Sequence, residues 1–142
     1  MLKNIDPLLG PELLRVLRAM GHGDEIAVVD ANYPAEEHGK RLIRMDGHDA
    51  PRLVDAILSV MPVDDMVVEA VFRPAAFGDP KRMEPVFGDF AAVVMKHEPE
   101  RKILPLTGMD FYNRVKAAFA IVASGERRLY GNLIIRKGVI RP

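Results

Sequence analysis

Between a glycine-flanked turn and the loop Ala31-Asn32-Tyr33-Pro34, the segment Glu25-Ile26-Ala27-Val28-Val29-Asp30 carries four consecutive apolar residues, with no polar residue alternating among them. A strand with one face in water alternates, so a run that does not must be covered on both faces. This run therefore calls for a sheet with helices on either side. The chain is long enough to provide them: 142 residues, 49% hydrophobic and 28% charged, suffice for one domain over 1–142 with a sizeable core.

The surrounding pattern agrees. Leu13, Leu14, Leu17 and Met20 recur at helical spacing between Pro11, a suitable first helical residue, and Gly21, a suitable terminator. Leu42 to Met45 reads as a strand. A helix follows, carrying Leu53, Val54, Ile57, Leu58 and Met61 and closed by Pro62. Met66 to Phe72 reads as the next strand, Val86 to Lys96 as a helix despite Gly88, and Ile103 to Leu106 as a short strand. Phe111, Val115, Ala118, Phe119 and Val122 predict a long helix over Asp110 to Ser124 with Gly125 as terminator, and Leu133 to Arg136 predicts the last strand. Short apolar strands alternating with helices predict an α/β fold with a mostly parallel sheet covered by helices on both faces. Such sheets bind ligands beyond the carboxyl ends of their strands.

Several function classes are disfavoured by composition. Twenty basic residues balance twenty acidic ones, so the chain lacks the electrostatic footprint of a nucleic-acid binder or of a protein drawn to an anionic membrane. With 0 Cys there is no disulfide framework and no thiolate nucleophile, which suits a reducing, cytoplasmic setting. No apolar stretch approaches the roughly 18 to 20 residues that span a bilayer, and the first residues lack a secretory leader's pattern. The four His residues, His22, His38, His48 and His97, show no metal-ligand spacing, and Glu36-Glu37-His38 reads as a solvated loop. Gly21-His22-Gly23 follows a helix and precedes a strand, the reverse of a dinucleotide-binding loop. Ser59 and Ser124, in apolar helical surroundings, make poor nucleophiles.

The densest polar cluster is Gly21-His22-Gly23-Asp24, which holds His22 in a turn where its imidazole can face an opening. It reads equally as a helix cap followed by an ordinary turn. Asp30 stands at the far end of the following strand, as a carboxylate in need of a partner or as a cap. Tyr130-Gly131-Asn132 offers hydroxyl and amide groups around a glycine, suited to a sugar's hydroxyls or to a plain turn.

Taken together with Pro11-Glu12-Leu13-Leu14, Asp24-Glu25-Ile26, Ala117-Ala118-Phe119-Ala120-Ile121-Val122, Ser124-Gly125-Glu126, Leu133-Ile134 and Arg136-Lys137-Gly138-Val139, these stretches resemble the L-fucose mutarotase branch of the D-ribose pyranase and L-fucose mutarotase family, in order and over nearly the whole chain. The resemblance implies a ribose-pyranase-like α/β sandwich, assembled as a homo-oligomer, commonly a decameric ring, with active sites near subunit boundaries. It implies a monosaccharide substrate, His22 as catalytic acid/base, Asp30 as a sugar-binding carboxylate that assists catalysis, and Tyr130, Gly131 and Asn132 as sugar contacts. It implies an isomerase that needs no cofactor and no metal, opening and reclosing the hemiacetal by proton transfer. A pyranase acting on ribose or another pentose, and a non-catalytic sugar-binding module, are the alternatives. Gly108 stands where relatives carry a basic sugar contact, and none of Thr107, Asp110 or Arg114 matches that position.

Overall fold

The computed structural model describes residues 1–142. The chain runs α1 (Pro11–Ala19), β1 (Glu25–Val29), α2 (Ala35–His38), β2 (Leu42–Met45), α3 (Ala50–Leu58), β3 (Val71–Pro74), a single 3-10 turn (Ala76–Gly78), α4 (Pro85–His97), β4 (Ile103–Leu106), α5 (Gly108–Ala117), β5 (Ala120–Ser124) and β6 (Leu133–Arg136). The strands form one sheet in the order β2-β5-β1-β6-β3-β4. Three neighbouring pairs are parallel, β1 with β5, β2 with β5 and β3 with β4. Only β6 is reversed, antiparallel to both β1 and β3. The carboxyl ends of β1 to β5 therefore share one edge of the sheet, and β6 enters from that edge.

Strand β1 shows why its run does not alternate. Ile26 and Val28 pack into a large cluster of 27 buried residues fed by α1, α3 and α4. Ala27 and Val29 face a smaller cluster of 9 around Phe111 and Val115 of α5 and Ala35 of α2. The sheet is thus covered by helices on both faces, as the sequence predicts. At about 1.5–3 kcal/mol for each fully buried large aliphatic side chain, Ile26, Ile121, Ile134 and Ile135, all completely buried, supply much of the drive that flattens the two helical layers onto the sheet.

Three sequence expectations are corrected. The expected helix over Asp110 to Ser124 is two elements: α5 ends at Ala117, and Ala120–Ser124 is β5, hydrogen-bonded between β1 and β2. A continuous apolar run satisfies both helical and buried-strand patterns; here the two strand edges waiting on either side decide the outcome. Ser124 consequently ends a strand, and its hydroxyl donates to the Val29 carbonyl at 2.7 Å. The expected strand Met66 to Phe72 begins only at Val71, because Met66, Val67 and Val68 bulge outward and stay exposed. Glu36-Glu37-His38 is not a loop but the body of α2, whose inner residue Ala35 is buried.

Candidate active site

The sequence-nominated residues fall at two ends of one strand. At the carboxyl end of β1, Asp30 is only 6% exposed and is gripped by Asn132, itself 7% exposed, at the start of β6. The Asn132 side-chain amide donates to Asp30 Oδ2 at 2.9 Å, and its Oδ1 accepts the Asp30 backbone N–H at 2.8 Å. The Asn32 N–H adds a third bond, to Asp30 Oδ1 at 3.0 Å. Burial pushes the Asp30 carboxyl up from its ordinary value, and the hydrogen bonds from Asn32, Asn132 and the Tyr33 and Gly131 N–H groups oppose that rise. The clamp joins residues 102 positions apart, so only the antiparallel seating of β6 against β1 creates it.

Gly131 belongs to this clamp by necessity of space. A Cβ there would lie 2.5 Å from Glu126 Cγ and 3.2 Å from the Arg128 carbonyl oxygen. Glu126 is 3% exposed and held by a two-pronged bond from Arg128, Nε to Oε1 at 2.8 Å and Nη2 to Oε2 at 2.9 Å, and this arginine keeps the Glu126 carboxyl below its ordinary range. The Glu126 carbonyl in turn accepts the Ala31 N–H at 2.9 Å. The turn after β5, the loop after β1 and the entry to β6 thereby form one unit.

Tyr130 has φ 61 and Phe77, in the turn after β3, has φ 53. Aromatic residues rarely accept the left-handed region. Their rings meet edge to face at 5.1 Å, and the Arg82 guanidinium lies 4.1 Å above Phe77, which remains 60% exposed. Arg73, only 8% exposed, staples this turn by donating to the Pro74 and Pro80 carbonyls, each at 3.0 Å. Sequence reading missed Phe77, since no local signal marks a left-handed phenylalanine. Along the same edge Tyr33 stacks on Tyr112 at 5.5 Å and bonds His38 Nδ1 through its hydroxyl at 2.9 Å; burial raises the Tyr33 phenol. Gly108 opens α5 with φ 46 and nothing within 4 Å of where a Cβ would stand.

His22 lies at the other end of β1. Lys137 donates to the Leu17 and Met20 carbonyls at 2.8 and 2.6 Å, capping α1. The chain then turns through Gly23 at φ 85, with the Gly21 N–H donating to Asp24 Oδ2 at 2.7 Å. The imidazole at this turn is 40% exposed, and its Nε2 stands 3.1 Å from Oδ2 of Asp64, whose side chain is fully buried. Asp64 also accepts from Arg136 Nε at 2.8 Å and from the Met66 N–H at 3.0 Å. Burial alone would raise the Asp64 carboxyl, but Arg136, the Met66 N–H and His22 outweigh it and hold it at about 2. Asp64 was also missed in the sequence, where this segment shows only Pro62, closing the preceding helix. Arg114, at the same end, is committed to Glu25 through Nη2 at 2.7 Å and so points away from the Asp30 edge.

The structure thus brings Asp30, Tyr130, Gly131 and Asn132 together and keeps His22 apart from them. From Asp24 to Asp30 an extended strand covers ~20 Å at about 3.3 Å per residue. No group of three or more His, Asp or Glu side chains is placed to hold a metal ion, and no helix is long and apolar enough to cross a membrane.

A doubly covered sheet with one reversed strand and a carboxylate–amide clamp at its carboxyl edge narrows the chain to a class of small α/β proteins. Residues 3–140 match the RbsD / FucU transport protein family, and the chain belongs to that family. It is 41% identical to the fucose mutarotase of Homo sapiens over 145 residues, 98% of this chain and 94% of that protein. It superposes with TM-score 0.90 at 40% identity on the fucose mutarotase of Streptococcus pneumoniae solved in complex with L-fucose, covering 99% of this chain and 100% of that one. FucU of Bifidobacterium longum superposes with TM-score 0.91 at 36% identity, over 98% and 100% of the two chains.

Proposed function

We propose that the chain is an isomerase, a mutarotase that interconverts the α and β anomers of L-fucose or a closely related reducing sugar, with residues 1–142 acting as one catalytic domain. The observation that carries this reading is the full-length likeness, at 40% identity, to a mutarotase solved with L-fucose. The chain's own chemistry supports it. Ring opening needs a proton delivered to the ring oxygen as the C1–O5 electron pair moves onto that oxygen, and a proton removed from the C1 hydroxyl as the carbonyl forms. Closure on the other face reverses both transfers. An exposed imidazole serves in either direction near neutral pH, and positioned proton transfer of this kind contributes about 10² to 10⁴-fold. His22 is assigned the exchange with the ring oxygen. Asp30, presented by Asn132, orients the sugar and assists at the C1 hydroxyl, while Tyr130, Gly131 and Asn132 hold neighbouring hydroxyls.

Because His22 and Asp30 occupy opposite ends of β1, a working site pairs His22 of one copy with Asp30 of another. Exposed apolar groups beside each half favour such closure: Met66 at 59% and Val68 at 82% near His22, Phe77 at 60% near Tyr130. A closed homo-oligomer follows, with the decameric ring as its expected form. The 0 Cys and the small-sugar substrate fit a cytoplasmic enzyme.

Saturation-transfer NMR on L-fucose tests the reading. The wild type should exchange the two anomer signals far faster than buffer, and His22→Ala should not. An inactive wild type that only perturbs sugar shifts would leave a binding module instead.

A further inference from the structure

Phe77 touches a proposed sugar contact yet has no part in the proton transfers. Its turn after β3 is firmly anchored: Ala76 is wholly buried, and the Ala75 N–H donates to the Leu106 carbonyl at 2.8 Å. The Gly78 and Asp79 N–H groups close back on the Ala75 and Ala76 carbonyls at 3.1 and 3.0 Å. Between these anchors Phe77 is driven outward at φ 53 and stays 60% exposed. Glycine or asparagine would take that backbone with less strain and without an apolar ring in water. Strain fixed so firmly by its surroundings clusters at active sites and ligand clamps. The ring itself is also held, edge to face against Tyr130 at 5.1 Å and under the Arg82 guanidinium at 4.1 Å, while Arg82 Nε is occupied by Glu84 at 3.2 Å. Tyr130 precedes Gly131, where a Cβ would meet the Asp30 Cβ at 3.4 Å. Phe77 thus adds an apolar wall beside a clamp that is otherwise polar.

We propose that Phe77 is a specificity-determining residue: its ring packs against the methyl group on C5 of L-fucose, so that the site favours this 6-deoxy sugar over counterparts with hydroxymethyl or hydrogen at C5. The inference rests on the reading of the chain as an L-fucose mutarotase. L-Fucose, L-galactose and D-arabinose in their pyranose forms carry the same hydroxyls on C2, C3 and C4 and differ only at C5. Hydrogen bonds from Asp30, Asn132 and Tyr130 to those hydroxyls cannot tell the three apart, whereas an apolar wall can. A single methylene in an apolar pocket is worth about 10- to 200-fold in kcat/KM, and a wall open on one side belongs at the low end of that range. A C5 hydroxymethyl would set its hydroxyl against a ring that offers no hydrogen bond in return. In the proposed assembly, the closure that covers Phe77 also encloses the sugar against it.

The test uses the full-length protein and anomer exchange of L-fucose, L-galactose and D-arabinose, each corrected for its exchange in buffer. The wild type should favour L-fucose over each of the others by about tenfold or more in kcat/KM. Phe77→Asn suits φ 53 and should fold at least as stably as the wild type. It should shrink the preference to a few-fold, chiefly by loss on L-fucose, while Phe77→Leu should retain most of it. A wild type without preference among the three sugars overturns the proposal. So does a folded Phe77→Asn that keeps the wild-type preference, or one that loses rate equally on all three, which would make the ring a structural or intersubunit contact. Where neither variant folds, saturating phenylalanine ring protons in otherwise deuterated wild type should mark the sugar's methyl most strongly, and a strongest mark on the proton of C2 overturns the proposal. Failure of the underlying reading looks different: the wild type would then accelerate exchange of none of the three.

Discussion

Mixing two inactive variants tests the shared site most directly. His22→Ala removes the acid/base from every subunit but leaves the Asp30–Asn132 clamp, whereas Asp30→Asn leaves His22 and its Asp64 support in place. Were both residues needed from a single chain, every subunit of a mixed oligomer would be defective and no activity would return. The ~20 Å of extended strand between them far exceeds the ~3 Å reach of a proton-transferring contact, so on the proposed reading the two groups of one protomer serve different sites. In oligomers co-expressed at equal amounts and assembled at random, each site draws its histidine from one subunit and its carboxylate from a neighbour. Both are intact with probability one half each, so about one quarter of the sites should work. The assay is anomer exchange per mole of subunit, with the two parents and the wild type alongside. Recovery near one quarter of the wild-type rate is the expected result. A mixed oligomer no more active than the sum of its parents would refute the shared site and require His22 and Asp30 to act independently or not at all.

Asn132→Ala should destabilise the fold by about 2–5 kcal/mol near pH 7.5, since it strips one hydrogen bond from a buried carboxylate and leaves the buried Asp30 N–H unpaired. Asp30 already has a folded-state carboxyl raised above 3.8 by burial, so its contribution to stability is fullest below that value and is lost as pH rises through the folded one; removing Asn132 raises it further. The penalty should therefore be larger at pH 7.5 than at pH 4, and urea unfolding at equal protein concentration that shows a pH-independent penalty would sink the argument. Gly108→Arg should fold, because nothing lies within 4 Å of its Cβ, at a cost of about 1–2 kcal/mol for a side chain at φ 46. A new charged donor there should strengthen L-fucose binding roughly ten- to a hundredfold, and an unchanged KM would show that Gly108 does not face the sugar.

What was legible in the sequence and what was not divide along physical lines. The strands Leu42–Met45, Ile103–Leu106 and Leu133–Arg136 match their expected limits, and the unalternating β1 run correctly demanded helices on both faces. These signals are local: a short apolar run between polar or turn-forming residues needs little context. β5 failed because Phe111, Val115 and Ala118 keep a helical rhythm up to the point where the chain enters the sheet, and nothing within the segment says that β1 and β2 leave a vacant edge between them. The candidate site repeats the division. Asp30 and Asn132 were visible as polar residues at apolar strand ends, but their mutual clamp depends on β6 running backwards, which is a property of the whole sheet. Asp64 and Phe77 have meaning only through neighbours distant in sequence, Arg136 and Tyr130.

The placement of the two half-sites also bears on why β1 is built as it is. A strand buried on both faces and paired on both edges, with Ile26, Ala27, Val28 and Val29 all wholly inaccessible to solvent, is among the least deformable elements a small domain can hold. It acts as a spacer between the His22 turn at one end and the Asp30 clamp at the other. Two groups fixed to one rigid rod cannot approach each other, whereas in the proposed closed assembly repeating the rod would bring each histidine to the same position against the next carboxylate. On the proposed reading activity requires assembly, because an isolated chain would hold two complementary halves of different sites. Dilution below the dissociation constant of the assembly should abolish exchange while leaving the secondary structure intact, as read by light scattering and circular dichroism on the same samples. A monomer that still exchanges anomers at the full rate would show that the rod separates nothing the reaction needs together.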